Sequence, residues 1–185
     1  MTEIIVFDTE TTGIPDWKTP SGGDNQPHIV ELAACRVNVE DRRVIDDFQF
    51  IVEPDGWEIP QEVADIHGIT TERALEAGIP EAMVLEKFLA FWGGRKRVAY
   101  NTTFDNRIIR IATKRFGDEL TIASWKGGEY ECAMLGSRRV MGGKQPKLSE
   151  AYQYFMGREI EDAHSAMGDV LATIDVYFAM KDAMI

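Results

Sequence analysis

The sequence predicts an α/β fold in which a mixed sheet is layered against helices, and three observations carry that expectation. Three runs of strand character open the chain, at residues 4–7, 29–39 and 44–52. A short apolar run at 97–100 then stands between two stretches of helical periodicity. From residue 132 onward the pattern is helix and loop.

The first strand is the reference for the rest. Ile4-Ile5-Val6-Phe7 is a continuous apolar run, the pattern of a strand buried on both faces. Asp8 and Glu10 follow at its C-terminal end, and side chains two apart on a strand project from the same face. Carboxylates so placed repel each other and resist desolvation unless a cation lies between them. A divalent metal ion is the simplest such cation. The plain alternative is a strand running out into solvent with two surface acids. Thr11-Thr12-Gly13 breaks the strand pattern.

Residues 14–28, rich in Pro, Gly, Asp and Asn, form a loop longer than most connections in compact domains. It either covers a substrate groove or is a tolerated surface insertion. Strand character resumes at 29–39 and 44–52, and the charged Glu40-Asp41-Arg42-Arg43 between them suits a hairpin, so the three strands form an antiparallel meander. Residues 54–60 are irregular. A short helix is expected at 61–66, ending at His67-Gly68, and Thr70-Thr71-Glu72-Arg73 starts another that stops at Gly78-Ile79-Pro80. Over 81–92, Met83, Val84, Phe88, Phe91 and Trp92 recur at helical spacing, and Gly93-Gly94 ends that helix.

A strand at 97–100 leads to an amphipathic helix at 104–116. No clear pattern covers 117–130. Helices are expected at 132–141, at 148–156, and from about Ser165 to the C-terminus, with Val170, Leu171, Ile174, Tyr177 and Phe178 facing the core. The first strand would be central. Its carboxylates would open at the sheet's C-terminal edge, where ligand sites collect in open α/β sheets.

With 185 residues, 44% of them hydrophobic, residues 1–185 fit one domain with a sizeable core. No apolar run approaches the roughly 18 residues of a membrane span. The start lacks the basic region of a secretory signal. Cys35 and Cys132 form no motif, which fits a reduced, cytoplasmic setting. The net charge of −11 argues against a nucleic-acid partner. Between Arg95 and Lys147, however, 12 Lys+Arg stand against 5 Asp+Glu. That segment could present a phosphate-facing surface, or it could be a solvated helix face.

Further candidate ligands lie at helix starts. Asp105 closes Tyr100-Asn101-Thr102-Thr103-Phe104-Asp105, where an acid in the first helical turn also suits the helix dipole with no other role. His164 and Asp169 would diverge by roughly 140° on one helix. If Ser165 is the N-cap, His164 instead lies on the preceding loop and can bend back over the turn that carries Asp169. A histidine at such a place is otherwise an ordinary polar surface residue. Taken together, four carboxylates and one histidine match what two-metal phosphoryl transfer requires. Oxygen ligands suit Mg²⁺ or Mn²⁺, two ions about 3.5–4 Å apart serve in-line displacement, and imidazole is suited to take a water's proton.

These motifs resemble the DEDDh, or DnaQ-like, 3′–5′ exonucleases, a family that includes the proofreading subunit of the bacterial replicative polymerase, RNase T and oligoribonuclease. Asp8-Thr9-Glu10 with Thr11-Thr12-Gly13 resembles the first exonuclease motif, Asn101 through Asp105 the second, and His164 through Asp169 the third. His67-Gly68-Ile69-Thr70 resembles a segment that family members place against the terminal nucleotide. Nearly the whole chain is covered.

The resemblance implies an RNase H-like fold: a mixed five-stranded sheet, the three-strand antiparallel meander plus parallel strands, flanked by helices. It implies that Asp8, Glu10, Asp105 and Asp169 hold two Mg²⁺ or Mn²⁺ ions, with Asp8 bridging them and His164 as general base. The spacing from His164 to Asp169 sets the chain apart from a sister subgroup with a tyrosine one residue closer. The backbone at Thr11 and Thr12 would meet the terminal 3′-hydroxyl. Ile69, beside His67 and Gly68, would pack on the last base, and Asn101 and Phe104 would shape the pocket. One departure bears on substrate: where many relatives carry Asp-Thr, this chain has Glu131-Cys132-Ala133.

The function expected is 3′–5′ hydrolysis of single-stranded DNA to nucleoside 5′-monophosphates, in a proofreading or repair setting with a polymerase or other replication protein as candidate partner. The alternatives are a 3′–5′ exoribonuclease, a phosphodiesterase acting on small nucleotides, and a non-catalytic nucleic-acid-binding or polymerase-associated module. One contact to a 2′-hydroxyl could shift the sugar preference.

Overall fold

The computed structural model describes residues 2–161 and 164–184. Strand β1 (Glu3–Thr11) pairs antiparallel with β2 (Ile29–Asn38), and β2 pairs antiparallel with β3 (Val44–Glu53). The meander read from the sequence is therefore present. Helices α1 (Gln61–His67) and α2 (Thr71–Ala77) follow, then the two-residue β4 (Ile79–Pro80) and α3 (Glu81–Trp92). Strand β5 (Lys96–Ala99) pairs parallel with β1 and leads into α4 (Thr102–Phe116) and α5 (Glu119–Gly127). The chain continues with β6 (Tyr130–Cys132), α6 (Ala133–Met141), α7 (Leu148–Met156) and α8 (Ala166–Ala183).

The sheet has six strands, in the order β4-β3-β2-β1-β5-β6, instead of the five expected. The short members β4 and β6 each pair parallel with a longer neighbour. Two or three residues cannot display a two-residue period, so neither strand left a pattern to read. For the same reason the helix expected at 132–141 begins one residue later, after β6 ends at Cys132.

Alternation along β1 splits the core into two layers. Ile4 and Val6 pack with Ala33, Cys35 and Val37 of β2 against α6, α7 and α8. Ile5 and Phe7 pack with Leu32 and Ala34 against α3, α4 and α5. A smaller cluster of Val30, Ile59, Ala64, Ile69 and Ala74 secures α1 and α2. Gly68, at φ +73, closes α1 in a left-handed conformation that costs glycine nothing.

Helix α5 occupies the stretch that carried no pattern. One residue fastens it. Trp125 is wholly buried, its ring 5.9 Å from Phe7 and 5.1 Å from Trp92, with Nε1 donating to the Asn106 carbonyl at 3.2 Å. The Arg97 guanidinium lies 3.8 Å from the Trp125 ring centroid and donates to Asn106 Oδ1 and to the Trp125 carbonyl. Burial lowers the Arg97 pKa to about 10, so the side chain stays charged at neutral pH.

The basic segment is accordingly not one surface. Arg97 is interior, Arg95 pairs with Glu3, Lys96 with Glu131, and Arg115 with Glu81. Glu131, at the departure from the family pattern, is a hub for Lys96, Lys181 and Tyr177. Burial alone would raise its pKa, but those hydrogen bonds outweigh burial and hold it near 2. Among the described residues no helix is long and apolar enough to cross a membrane.

Candidate active site

Strand β1 delivers Asp8 and Glu10 to the face covered by α8, the face of Ile4 and Val6. Helix α8 begins beside them. Ser165 is its N-cap, with Oγ accepting from Gly168 N at 3.1 Å, and Asp169 lies in the first turn. One carboxylate oxygen from each of Asp8, Glu10 and Asp169 falls within 4.8 Å of the other two. Three residues separated by up to 161 positions in sequence thus converge at the edge of the sheet.

Asp105 arrives from the opposite layer. It is 3% exposed in the first turn of α4, and its Oδ1 accepts from Thr9 N at 3.1 Å and Thr9 Oγ1 at 2.8 Å. The β1–β5 ladder ends at Val6 and Val98, so the Thr9 N–H lies beyond it and takes Asp105 as partner. Thr9 points away from Asp8 and Glu10, and so Asp105 reaches the cluster around the strand instead of joining its close triad.

The electrostatics are those of acids without a counter-charge. Burial, followed by repulsion from Asp105, Glu10, Asp169 and Glu31, pushes the Asp8 carboxyl well above the usual carboxylate range. Burial, then Asp169, Glu31 and Asp105, pushes Glu10 up to about 8. Burial raises Asp105 despite the opposing hydrogen bonds from Thr9. Burial also raises Asp169, against a backbone hydrogen bond and a favourable charge from His164. Among the described residues no Lys or Arg stands within ion-pair distance of these four acids. A divalent cation fits this donor set, because oxygen ligands and uncompensated negative charge are what Mg²⁺ and Mn²⁺ take.

His164 is exposed, at φ 71, on the turn before α8. Its backbone is hydrogen-bonded to Asp169 in the first helical turn, and Ser165 is the N-cap, which leaves His164 on the preceding turn. The two residues before it, Asp162 and Ala163, lie outside the described residues.

The remaining sequence candidates are spread around this edge. Thr11 is buried and its hydroxyl donates to the Gly13 carbonyl. Thr12 N donates to the His28 carbonyl, and His28 N to Thr12 Oγ1, so this pair closes the base of the 14–28 loop. Within the loop, Gln26 bonds to Asp16, Thr19 and Pro20, and Arg107 and Arg115 of α4 hold the loop's carbonyls. His67 is buried, with Nδ1 accepting from Ile69 N at 3.1 Å and Nε2 without a partner among the described residues. Burial lowers its pKa and so favours the neutral ring. Ile69, only 2% exposed, belongs to the third core cluster and offers little surface. Asn101 is the exposed N-cap of α4, and Phe104 is partly buried against the second core layer.

Two residues of the site went unread in the sequence. Thr9 holds Asp105, and Glu31 stands opposite Glu10 across the β1–β2 ladder. The signal for Glu31 was present: one acid interrupts the apolar run of a strand buried on both faces.

Residues 5–177 match the RNase T-type family described as exonuclease. The chain belongs to the exonuclease family. This exonuclease domain is 34% identical over 184 residues to a DNA polymerase III subunit epsilon-like protein of Rhodobacter capsulatus, covering 97% of this chain and 24% of that protein. It is 29% identical to DNA polymerase III subunit epsilon of Salmonella typhimurium, covering 97% of this chain and 72% of the relative. It matches a PolC-type DNA polymerase III of Caldanaerobacter subterraneus at 28% identity, over 12% of that protein's length. The chain therefore spans a quarter or less of two of these three relatives. Its fold is that of E. coli exonuclease I in complex with a dT13 oligonucleotide, with a TM-score of 0.74 at 21% identity over 94% of this chain and 40% of the other. The likeness to exonuclease I with bound product has a TM-score of 0.76 and covers 98% and 44%.

Proposed function

We propose that this domain is a metal-dependent 3′–5′ exonuclease that removes nucleoside 5′-monophosphates one at a time from the 3′ end of single-stranded DNA. The observation that carries the reading is the convergence of Asp8, Glu10 and Asp169 within 4.8 Å, with no Lys or Arg in ion-pair distance among the described residues, in a chain of the exonuclease family. Asp8, Glu10, Asp105 and Asp169 would hold two Mg²⁺ or Mn²⁺ ions, which would relieve the repulsion that Asp8 meets from the other three. Bound metal supplies activation of a water and stabilisation of the leaving oxygen. Thr9 keeps the Asp105 carboxylate oriented through two hydrogen bonds. His164 takes the proton of the attacking water at its ring, while its backbone is hydrogen-bonded to Asp169.

The Thr11–Thr12 segment would seat the 3′-hydroxyl. Here the Thr12 N–H is given to the His28 carbonyl and the Thr11 hydroxyl to the Gly13 carbonyl. His67 Nε2, buried and unpartnered among the described residues, is the polar group nearest in kind to a nucleotide contact, with Gly68 and Ile69 shaping its turn. Asn101 and Phe104 precede Asp105 at the start of α4 and would border the terminal nucleotide. DNA as substrate is supported by the relatives, which are named for DNA polymerase III, and by the exonuclease I fold carried by a DNA complex. The same names make a polymerase the partner of choice.

The test uses 3′- and 5′-labelled single-stranded DNA and RNA with Mg²⁺, Mn²⁺ or EDTA, beside Asp8→Asn and His164→Ala. Metal-dependent shortening of DNA from the 3′ end is expected, abolished in Asp8→Asn and slowed about 10²–10⁴-fold at neutral pH in His164→Ala. Preferential shortening of RNA would move the substrate to the other sugar. No 3′ shortening of either polymer ends the exonuclease reading, and full rate in His164→Ala removes the histidine from the base's role.

A further inference from the structure

A fourth acid on the face of Asp8 and Glu10 has no place in the set of ligands above. Glu31 is 5% exposed in β2, and its Cα pairs with that of Glu10. Burying a carboxylate next to others costs free energy unless its oxygens find strong donors. Both oxygens do. Oε1 accepts from Gln49 Nε2 of β3 at 2.8 Å, and Oε2 accepts from the backbone N–H of Ala166 at 3.4 Å. Ala166 is the first residue of α8, where a negative charge also meets the positive end of the helix dipole.

The bonds at this helix start divide by what they fix. Ser165 Oγ to Gly168 N, and Asp169 N to the Ser165 carbonyl, are local and set only the shape of the first turn. The Glu31–Ala166 bond spans 135 positions and ties that turn to the sheet by a charged acceptor, beside the weaker Cys35 Sγ–Met167 Sδ contact at 3.8 Å and the apolar packing of Ala166. Asp169 sits three residues beyond Ala166, within the same turn. The distance from Asp169 to Asp8 and Glu10 therefore depends on where the start of α8 is held against β1 and β2.

We propose that Glu31 is a positioning residue of the active site, a clamp on the first N–H of α8 that brings Asp169 to its place beside Asp8 and Glu10. The consequence for a metal rests on the proposed reading of those acids as its ligands. The clamp itself does not. Gln49 braces the clamp by holding the other oxygen of Glu31. Groups that orient metal ligands without touching the metal typically contribute about 10–100-fold to affinity.

Two readouts keep the clamp and the metal reading apart. Amide hydrogen exchange at 166–169 reports the clamp with neither metal nor substrate, and Mn²⁺ titration reports its consequence. In Glu31→Ala the clamp predicts faster exchange confined to the start of α8 and Mn²⁺ binding weakened about 10–100-fold, with cleavage recovered at high Mn²⁺. Glu31→Gln retains an acceptor for Ala166 N–H and restores most of both. If Glu31→Gln loses as much Mn²⁺ affinity as Glu31→Ala, Glu31 acts on the metal by its charge and the clamp is overturned. Unchanged exchange at 166–169 in Glu31→Ala also overturns it, even if overall stability falls. If exchange responds as described but the wild-type protein neither binds Mn²⁺ nor cleaves, the clamp stands and the metal-dependent function falls.

Discussion

At the scale of single residues, the site depends on how a strand separates its neighbours. Asp8 and Glu10 face α8 while Thr9 between them faces α4, so one tripeptide presents two acids and grips a third, Asp105. Thr9→Val keeps the β-branched shape and the backbone donor but deletes the hydroxyl that meets a buried carboxylate. Above the Asp105 pKa, which burial raises to about 7, it is expected to cost about 1.5–3 kcal/mol in denaturant unfolding of the metal-free protein, the range for a hydrogen bond to a charged group. Retention of wild-type stability would mean that Asp105 is held by something else. The shared face of Asp8 and Glu10 was legible, because alternation is a property of any strand. The partner of Asp105 was not, since it required knowing that β5 ends before Thr9. Glu31 carried a signal, one acid within an apolar strand, but its place beside Glu10 is set only by the register of the β1–β2 ladder.

At the scale of elements, punctuation was more readable than pairing. Helix α3 begins after Pro80 and ends before Gly93, as the periodicity and the breakers indicated. Strands β4 and β6 are defined by neighbours they touch and not by any pattern of their own, and α5 is held chiefly by Trp125. Close approach at Gly78 is what lets β4 reach β3. A Cβ there would overlap backbone atoms of Ala74 and Glu53 and lie 2.6 Å from the Val52 carbonyl carbon. At Gly136 the obstruction is instead the end of the Met180 side chain, which can swing aside. Gly78→Ala should therefore destabilise by at least the roughly 1–3 kcal/mol of an overpacked core, and Gly136→Ala by less. The reverse order in chemical denaturation would show that β3 yields more easily than Met180. The 14–28 loop, read as either a cover or an insertion, is fastened by Gln26 within and by Arg107 and Arg115 from α4. Those two arginines are part of the basic segment whose charge looked available for phosphate.

At the scale of the whole molecule, two packed layers bring carboxylates from β1, α4 and α8 to one edge of the sheet, and the cost appears as a dependence on pH. Glu10 titrates near the ordinary 4.5 when unfolded and at about 8 when folded without metal. Between those values the folded state retains a proton that the unfolded chain has lost, so metal-free stability falls as pH rises from about 4.5 through about 8. Asp8, Asp105 and Asp169 shift in the same direction and add to the fall. A cation bound there would replace those protons, so its binding would be coupled to their release. Mn²⁺ titrated calorimetrically into the protein at pH 7, in two buffers of different ionisation enthalpy, measures both at once. The account predicts binding with net proton release, and loss of that binding in Asp8→Asn. Binding without proton release, or equal uptake of Mn²⁺ by Asp8→Asn, would contradict a metal centre built from Asp8, Glu10 and Asp169.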